Sequence, residues 1–194
     1  ELKQKNRELE QKWREFEIVK SENETLKEYV NLKEKYNNYE SIPSYVINKE
    51  ISNFGSTIII NVGKKDGVEP NMTVISDKGL VGYIISTTNT TAKVQTIIDT
   101  ATAVSATITT SRDSILVRGT LDANYTLKAT YIPTDAKLLQ GDIIETSGIG
   151  GIYPKGIKIG TISKVVNTNN LNDRYAMVET AVNFNKLETV LVIT

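Results

Sequence analysis

The chain has 194 residues, with 23 basic and 23 acidic side chains, no cysteine and no histidine. That balance creates no global field toward nucleic acid or anionic lipid, and no Lys/Arg-rich run supplies a local one. Disulfides, thiolate nucleophiles, Cys-ligated zinc and imidazole bases are excluded, so any catalysis would rest on carboxylate, lysine, tyrosine or serine.

Residues 1–42 are the first predicted element, a helix. The first forty carry nine Lys/Arg and ten Asp/Glu with no glycine or proline, and strong helix formers dominate. Leu2, Leu9 and Phe16 recur every seven residues, with Asn23 and Val30 in the same phase and Val19 and Leu26 three residues after Phe16 and Asn23. This seam (Leu2, Leu9, Phe16, Val19, Asn23, Leu26, Val30) has coiled-coil form and predicts self-association, with one Asn fixing register. Lys5 and Lys12 at companion positions weaken its early part. The alternative is a single amphipathic helix packed on its own domain, but a rod of roughly 60 Å overhangs a small domain. The helix is expected to stop near Ser41 to Pro43, because the residue before a proline leaves the α region. The chain begins inside helical sequence and without methionine, which reads as a fragment of a longer protein.

From Ser44 onward the pattern has period two. Strands are predicted at 56–62, 73–76, 80–86, 92–97, 103–108, 176–182 and 189–193, separated by turns such as Asp66-Gly67 and Asp77-Lys78-Gly79. Short strands spaced by turn residues imply barrels or sandwiches. An internal echo divides the region: Gly67-Val68-Glu69-Pro70-Asn71 matches Gly151-Ile152-Tyr153-Pro154-Lys155, and each precedes a glycine-bracketed strand containing Gly82 or Gly160. Two related small barrels in tandem would leave such an echo, with Gly82 and Gly160 at bulges or tight bends. The expected division is 44–110 for the first barrel and 111–194 for the second, with Arg112-Asp113 at the crossing and the last strands free to return to the first barrel.

The segment Gly141–Ile162 holds six glycines and one proline among β-branched residues. Thr146-Ser147-Gly148 within it resembles the setting of a protease serine, yet no histidine exists to take the serine proton. A serine–lysine pair using Lys155 or Lys158 is the remaining catalytic reading, and it defines the alternative function, a hydrolase or serine protease-like protein. A phosphate loop would need a helix directly after the glycines, whereas Pro154-Lys155-Gly156 leads into a strand. The turn reading has Thr146 and Ser147 bonding their own loop backbone. Ile149, Ile152 and Tyr153 are candidate partner contacts, with core packing as the alternative for them. The polar run 167–173 is expected to be exposed, with Leu171 as a minor anchor.

In chain order, the run Glu22 to Lys27, Asn53-Phe54 to Val68, Gly79-Leu80-Val81-Gly82 and Val94 to Asp99 resemble the rod-shape-determining protein MreC family. The most specific block joins Gly141 and Asp142 to Thr146, Ser147 and Gly148, and these to Pro154, Gly156 and Gly160. The resemblance covers nearly the whole chain. It implies a mainly β fold, in which a long N-terminal coiled-coil α-helix precedes two small antiparallel β-barrels. It further implies a non-enzymatic, cofactor-free scaffold of side-wall peptidoglycan synthesis in rod-shaped bacteria. Such a scaffold would form homodimers or higher oligomers and have MreB, MreD, RodA and a class B penicillin-binding protein as partners. A single-pass membrane segment outside this sequence would leave the present part extracytoplasmic.

Overall fold

The computed structural model describes residues 2–35, 39–52, 55–120, 122, 124–167 and 174–194. The expectations for Asn53-Phe54 and for Leu171 in the polar run fall outside the described residues, as do the side chains of Leu2 and Leu26. Two compact units emerge, Glu1–Asn38 and Tyr39–Thr194. The first contains one helix, α1 (Leu2–Lys35), of 34 residues, about 51 Å long at 1.5 Å per residue. Its formation follows from the uninterrupted run of helix formers. The predicted stop was too late: instead of helix, Ser41 and Pro43 lie in a strand. Pro43 is paired opposite Leu191, in extended backbone that suits its fixed φ.

The second unit is all β: β1 (Ser41–Ser52), β2 (Gly55–Ile60), a 3-10 turn (Lys64–Asp66), β3 (Thr73–Ile75), β4 (Leu80–Thr87), β5 (Ala92–Thr96), β6 (Ala103–Ile108), β7 (Ser114–Gly119), β8 (Leu127–Thr130), β9 (Ile143–Thr146), β10 (Lys158–Val166), β11 (Tyr175–Thr180) and β12 (Thr189–Ile193). They close into two barrels, ordered β1-β12-β3-β4-β5-β2 and β10-β11-β8-β7-β6-β9. Closure pairs every described strand on both sides. Strand alternation supplies the cores: Ile58, Ile60, Val74, Val94 and Val192 fill the first, and Val104, Ala106, Ile144, Ile159 and Val178 the second. Burying each of these valines and isoleucines stabilises the fold by about 1.5–3 kcal/mol, and Ala106 by less.

The barrels do not divide at residue 110. Strand β6, assigned to the first barrel by sequence, pairs with β7 and β9 in the second. Arg112, expected at the crossing, is instead in the β6–β7 hairpin at φ 64°, where its N–H donates to the Ile108 carbonyl (2.9 Å). The chain actually crosses between β5 and β6. There the buried Asp99 accepts the Ser56 N–H on Oδ2 and the Ala101 N–H on Oδ1, both at 2.8 Å. The final strand β12 returns to the first barrel, between β1 and β3.

The barrels meet closely. A Cβ at Gly79 would lie 2.2 Å from the Lys158 carbonyl oxygen, so only glycine lets the β3–β4 turn approach β10. The Thr73 hydroxyl donates to the Ile152 carbonyl (2.6 Å). On the returning crossing, buried Phe184 packs edge-on against Tyr125 (6.2 Å), and the Lys49 ammonium donates to the Phe184 and Asn185 carbonyls. Gly82 and Gly160 occupy equivalent tight spots, where a Cβ would sit 1.9 Å from the Gln95 carbonyl and 2.1 Å from that of Glu179. A register shift accompanies each, between Val74 and Ile75 on the strand facing Gly82 and between Lys158 and Gly160.

Candidate functional site

The glycine-rich segment becomes β9, a loop over 147–157, and β10. Its conspicuous polar residues organise that loop and the turn before β9. Asp142 is buried; its carboxylate accepts the Thr110 hydroxyl at 2.6 Å and the Leu139 N–H at 2.8 Å. Gly141, at φ 95°, donates its N–H to the Ile162 carbonyl. Buried Thr146 closes the loop from one side: its hydroxyl donates to the Pro154 carbonyl and accepts the Ile157 N–H (2.9 Å), while its carbonyl accepts the Gly156 N–H (2.9 Å). Gly148, Gly150, Gly151 and Gly156 all have positive φ, the conformation that a side chain would resist.

Ser147 is spent in the same way. Its hydroxyl donates to the Ser105 carbonyl (3.1 Å) and accepts the Ile149 N–H (3.2 Å). Among the described residues it has no hydrogen bond to the amine of Lys155 or Lys158, so the serine–lysine reading gains no geometry. What the loop offers is shape. Residues 147–155 enclose a shallow groove, at which Ile149 is 65% exposed and Ile152 38% exposed.

Tyr153 follows the core-packing reading and not that of a displayed contact. It is only 7% exposed, its ring stands edge-on to Tyr83 at 6.2 Å, and it seals the seam between the barrels. Its hydroxyl has no hydrogen-bond partner among the described residues. Burial, with Tyr83 as the lesser cause, raises the Tyr153 phenol above its ordinary pKa. The loop therefore faces two ways, with Tyr153 and the Ile152 carbonyl turned to the first barrel and the Ile149 side chain to solvent.

On α1, Leu9, Phe16, Val19 and Val30 are exposed, together with Trp13 and Ile18. Asn23 is exposed as well.

The sequence reading missed a second apolar face. Bulges between Val46 and Asn48 in β1 and between Ile84 and Ser86 in β4 leave Ile47 and Ile85 on the outside of the first barrel. Ile59, half-buried, is in register with Asn48 and Lys93 between them. Lys93 bonds Glu50 at 3.0 Å, and this bond, with a second from Thr57, holds the Glu50 carboxyl below its usual range. Bulges re-aim side chains without a local composition signal, so alternation alone could not have found this face.

Comparison with known proteins gives one consistent family. The family description "Rod shape-determining protein MreC, barrel core" matches residues 46–194. The cell shape-determining protein MreC of Listeria monocytogenes is 33% identical over 167 residues, which cover 84% of this chain and 57% of that protein. The chain thus spans little more than half the length of that relative. The solved MreC of Listeria monocytogenes superposes with a TM-score of 0.72 at 28% identity, covering 98% of this chain and 95% of that one. An MreC chain solved in complex with penicillin-binding protein PBP2, both from Helicobacter pylori, shares the fold with a TM-score of 0.61 at 16% identity, covering 80% of this chain and 98% of that one. With this match across both barrels and a relative of this identity, the chain belongs to the rod shape-determining protein MreC family.

Proposed function

We propose that this chain is the extracytoplasmic scaffold portion of a bacterial cell-elongation complex, acting by binding and not by catalysis. The observation that carries the reading is the family match over residues 46–194, which takes in both barrels and the whole glycine-rich loop. The local chemistry agrees with it: Thr146 and Ser147 are committed to holding the loop, and Asp142 to the turn before β9. In this reading a class B penicillin-binding protein docks on the barrels, and the fold shared with the Helicobacter pylori MreC supports that partner class. Ile149 and Ile152 are the contacts we assign to it, as apolar side chains on a rigid rim. The helix joins two copies. MreB, MreD and RodA are the further partners of the assembly, and a membrane segment outside this sequence anchors it.

The test is direct binding of the purified chain to the extracytoplasmic parts of the class B penicillin-binding proteins from the same bacterium. Saturable binding to one of them is expected, weakened at least about tenfold by Ile149→Asp, the loss of one well-buried apolar contact. Failure to bind any of them at concentrations up to 100 times about 1 μM, a modest affinity for such interfaces, would refute the docking role. Self-association is tested separately: removing residues 1–38 should convert a dimer into a monomer in sedimentation.

A further inference from the structure

We propose that the apolar seam of α1 changes heptad phase at Phe16, runs through Trp13 in its first half, and pairs in parallel and in register with a second copy of this chain. This rests on the self-association reading above and specifies its geometry. A continuous heptad through Leu2, Leu9 and Phe16 would place Lys5 and Lys12 at the companion positions, driving two ammonium groups per helix into an apolar contact. The helix offers another course. Leu2, Asn6, Leu9, Trp13 and Phe16 are spaced 4-3-4-3, and Val19, Asn23, Leu26 and Val30 continue as 3-4-3-4. The two successive threes at Phe16 amount to a three-residue insertion in the heptad, which a coiled coil absorbs by local overwinding. The backbone stays helical through this point. Trp13 is 64% exposed, and its ring lies 6.1 Å from that of Phe16. Asn6, Leu9 and Trp13 border one shallow groove. An exposed tryptophan with no other role is thereby given a place in the seam.

The flanking charges identify the occupant. In the shifted phase Lys5 and Lys12 precede the seam and Glu10 and Glu17 follow it; beyond Phe16 the signs reverse, with Glu15 and Glu22 before and Lys20 and Lys27 after. Parallel, in-register helices bring each preceding residue to the one five positions on in the partner. The pairs are then Lys5–Glu10, Lys12–Glu17, Glu15–Lys20 and Glu22–Lys27, every one of opposite charge. The spacing is symmetric about Phe16, so an antiparallel pairing centred there is the competing arrangement. In it Lys12 would meet Glu22 and Glu10 would meet Lys20, so charge alone does not exclude it, but Asn6 would face Leu26 and Asn23 would face Leu9. Parallel pairing sets Asn6 against Asn6 and Asn23 against Asn23, where each amide can bond its twin.

The full chain, sedimented as wild type and as two variants, separates the arrangements. Trp13→Ala should weaken the dimer at least about tenfold, the loss of one aromatic anchor. Lys12→Leu should leave its affinity within about threefold, the scale of one exposed ion pair. A continuous heptad demands the reverse, a tighter dimer with Lys12→Leu and little change with Trp13→Ala, and that result overturns the phase shift while leaving self-association intact. Far-UV circular dichroism of the barrels should be unchanged in both variants. Because the chain is cysteine-free, orientation is read from single cysteines: Asn23→Cys should oxidise to a homodimer. Cross-linking of mixed Asn23→Cys and Leu9→Cys chains, without the Asn23→Cys homodimer, overturns parallel pairing. A wild-type chain that remains monomeric overturns this inference and the self-association reading together.

Discussion

Replacing Asp99 with alanine tests whether the crossing between the barrels is held as described. The carboxylate accepts the Ser56 N–H at the start of β2 and the Ala101 N–H before β6, each at 2.8 Å. Ser56 is fully buried, so its orphaned N–H costs about 1–3 kcal/mol, whereas the Ala101 group can turn to water for about 1 kcal/mol or less. Together the loss is about 1–4 kcal/mol, which for a chain of this size lowers Tm by about 2–16 °C. Asp99→Asn keeps one acceptor and should lose about half as much. Urea unfolding followed by circular dichroism is the assay, since the single tryptophan is on α1 and not in a barrel strand. A loss below about 0.5 kcal/mol for Asp99→Ala, the usual scatter of a surface change, would refute the role assigned to this carboxylate.

Two further substitutions probe the seam between the barrels. Tyr153→Phe removes a buried hydroxyl that has no partner among the described residues, so stability at neutral pH should hold or rise by about 1 kcal/mol. The Tyr153 phenol has a folded-state pKa raised above the unfolded value. The native chain therefore keeps a proton that the unfolded chain releases, and stability should fall as pH rises above about 10. Denaturant midpoints for Tyr153→Phe should decline less steeply there, and identical slopes for the two proteins would contradict the burial. Gly79→Ala sets a methyl against the Lys158 carbonyl, which as backbone cannot swing away; a cost of about 1–3 kcal/mol is expected. Wild-type stability in that variant would mean that the β3–β4 turn does not pack on β10 as closely as described.

Local chemistry determined a large share of this protein. The glycine-free, charge-rich start read as helix, as α1 is over Leu2–Lys35, and the period-two runs gave β2 to β6, β11 and β12 near their observed limits. The positive-φ glycines of the 141–160 segment marked its turns, and the absence of histidine left Ser147 without a base. Such features depend on a residue and its near neighbours, so they are written in composition and spacing. Tertiary structure decided the rest, because strand partners lie far apart in the chain. That β6 joins the second barrel and β12 returns to the first depends on pairings such as Val104 with Val117 and Val192 with Val74. Ile47 and Ile85 face outward because bulges shift register, and a one-residue shift exchanges the faces of a strand. Tyr153, in a glycine-rich loop, was open to display or to core packing; the approach of Tyr83 from the other barrel decides for burial.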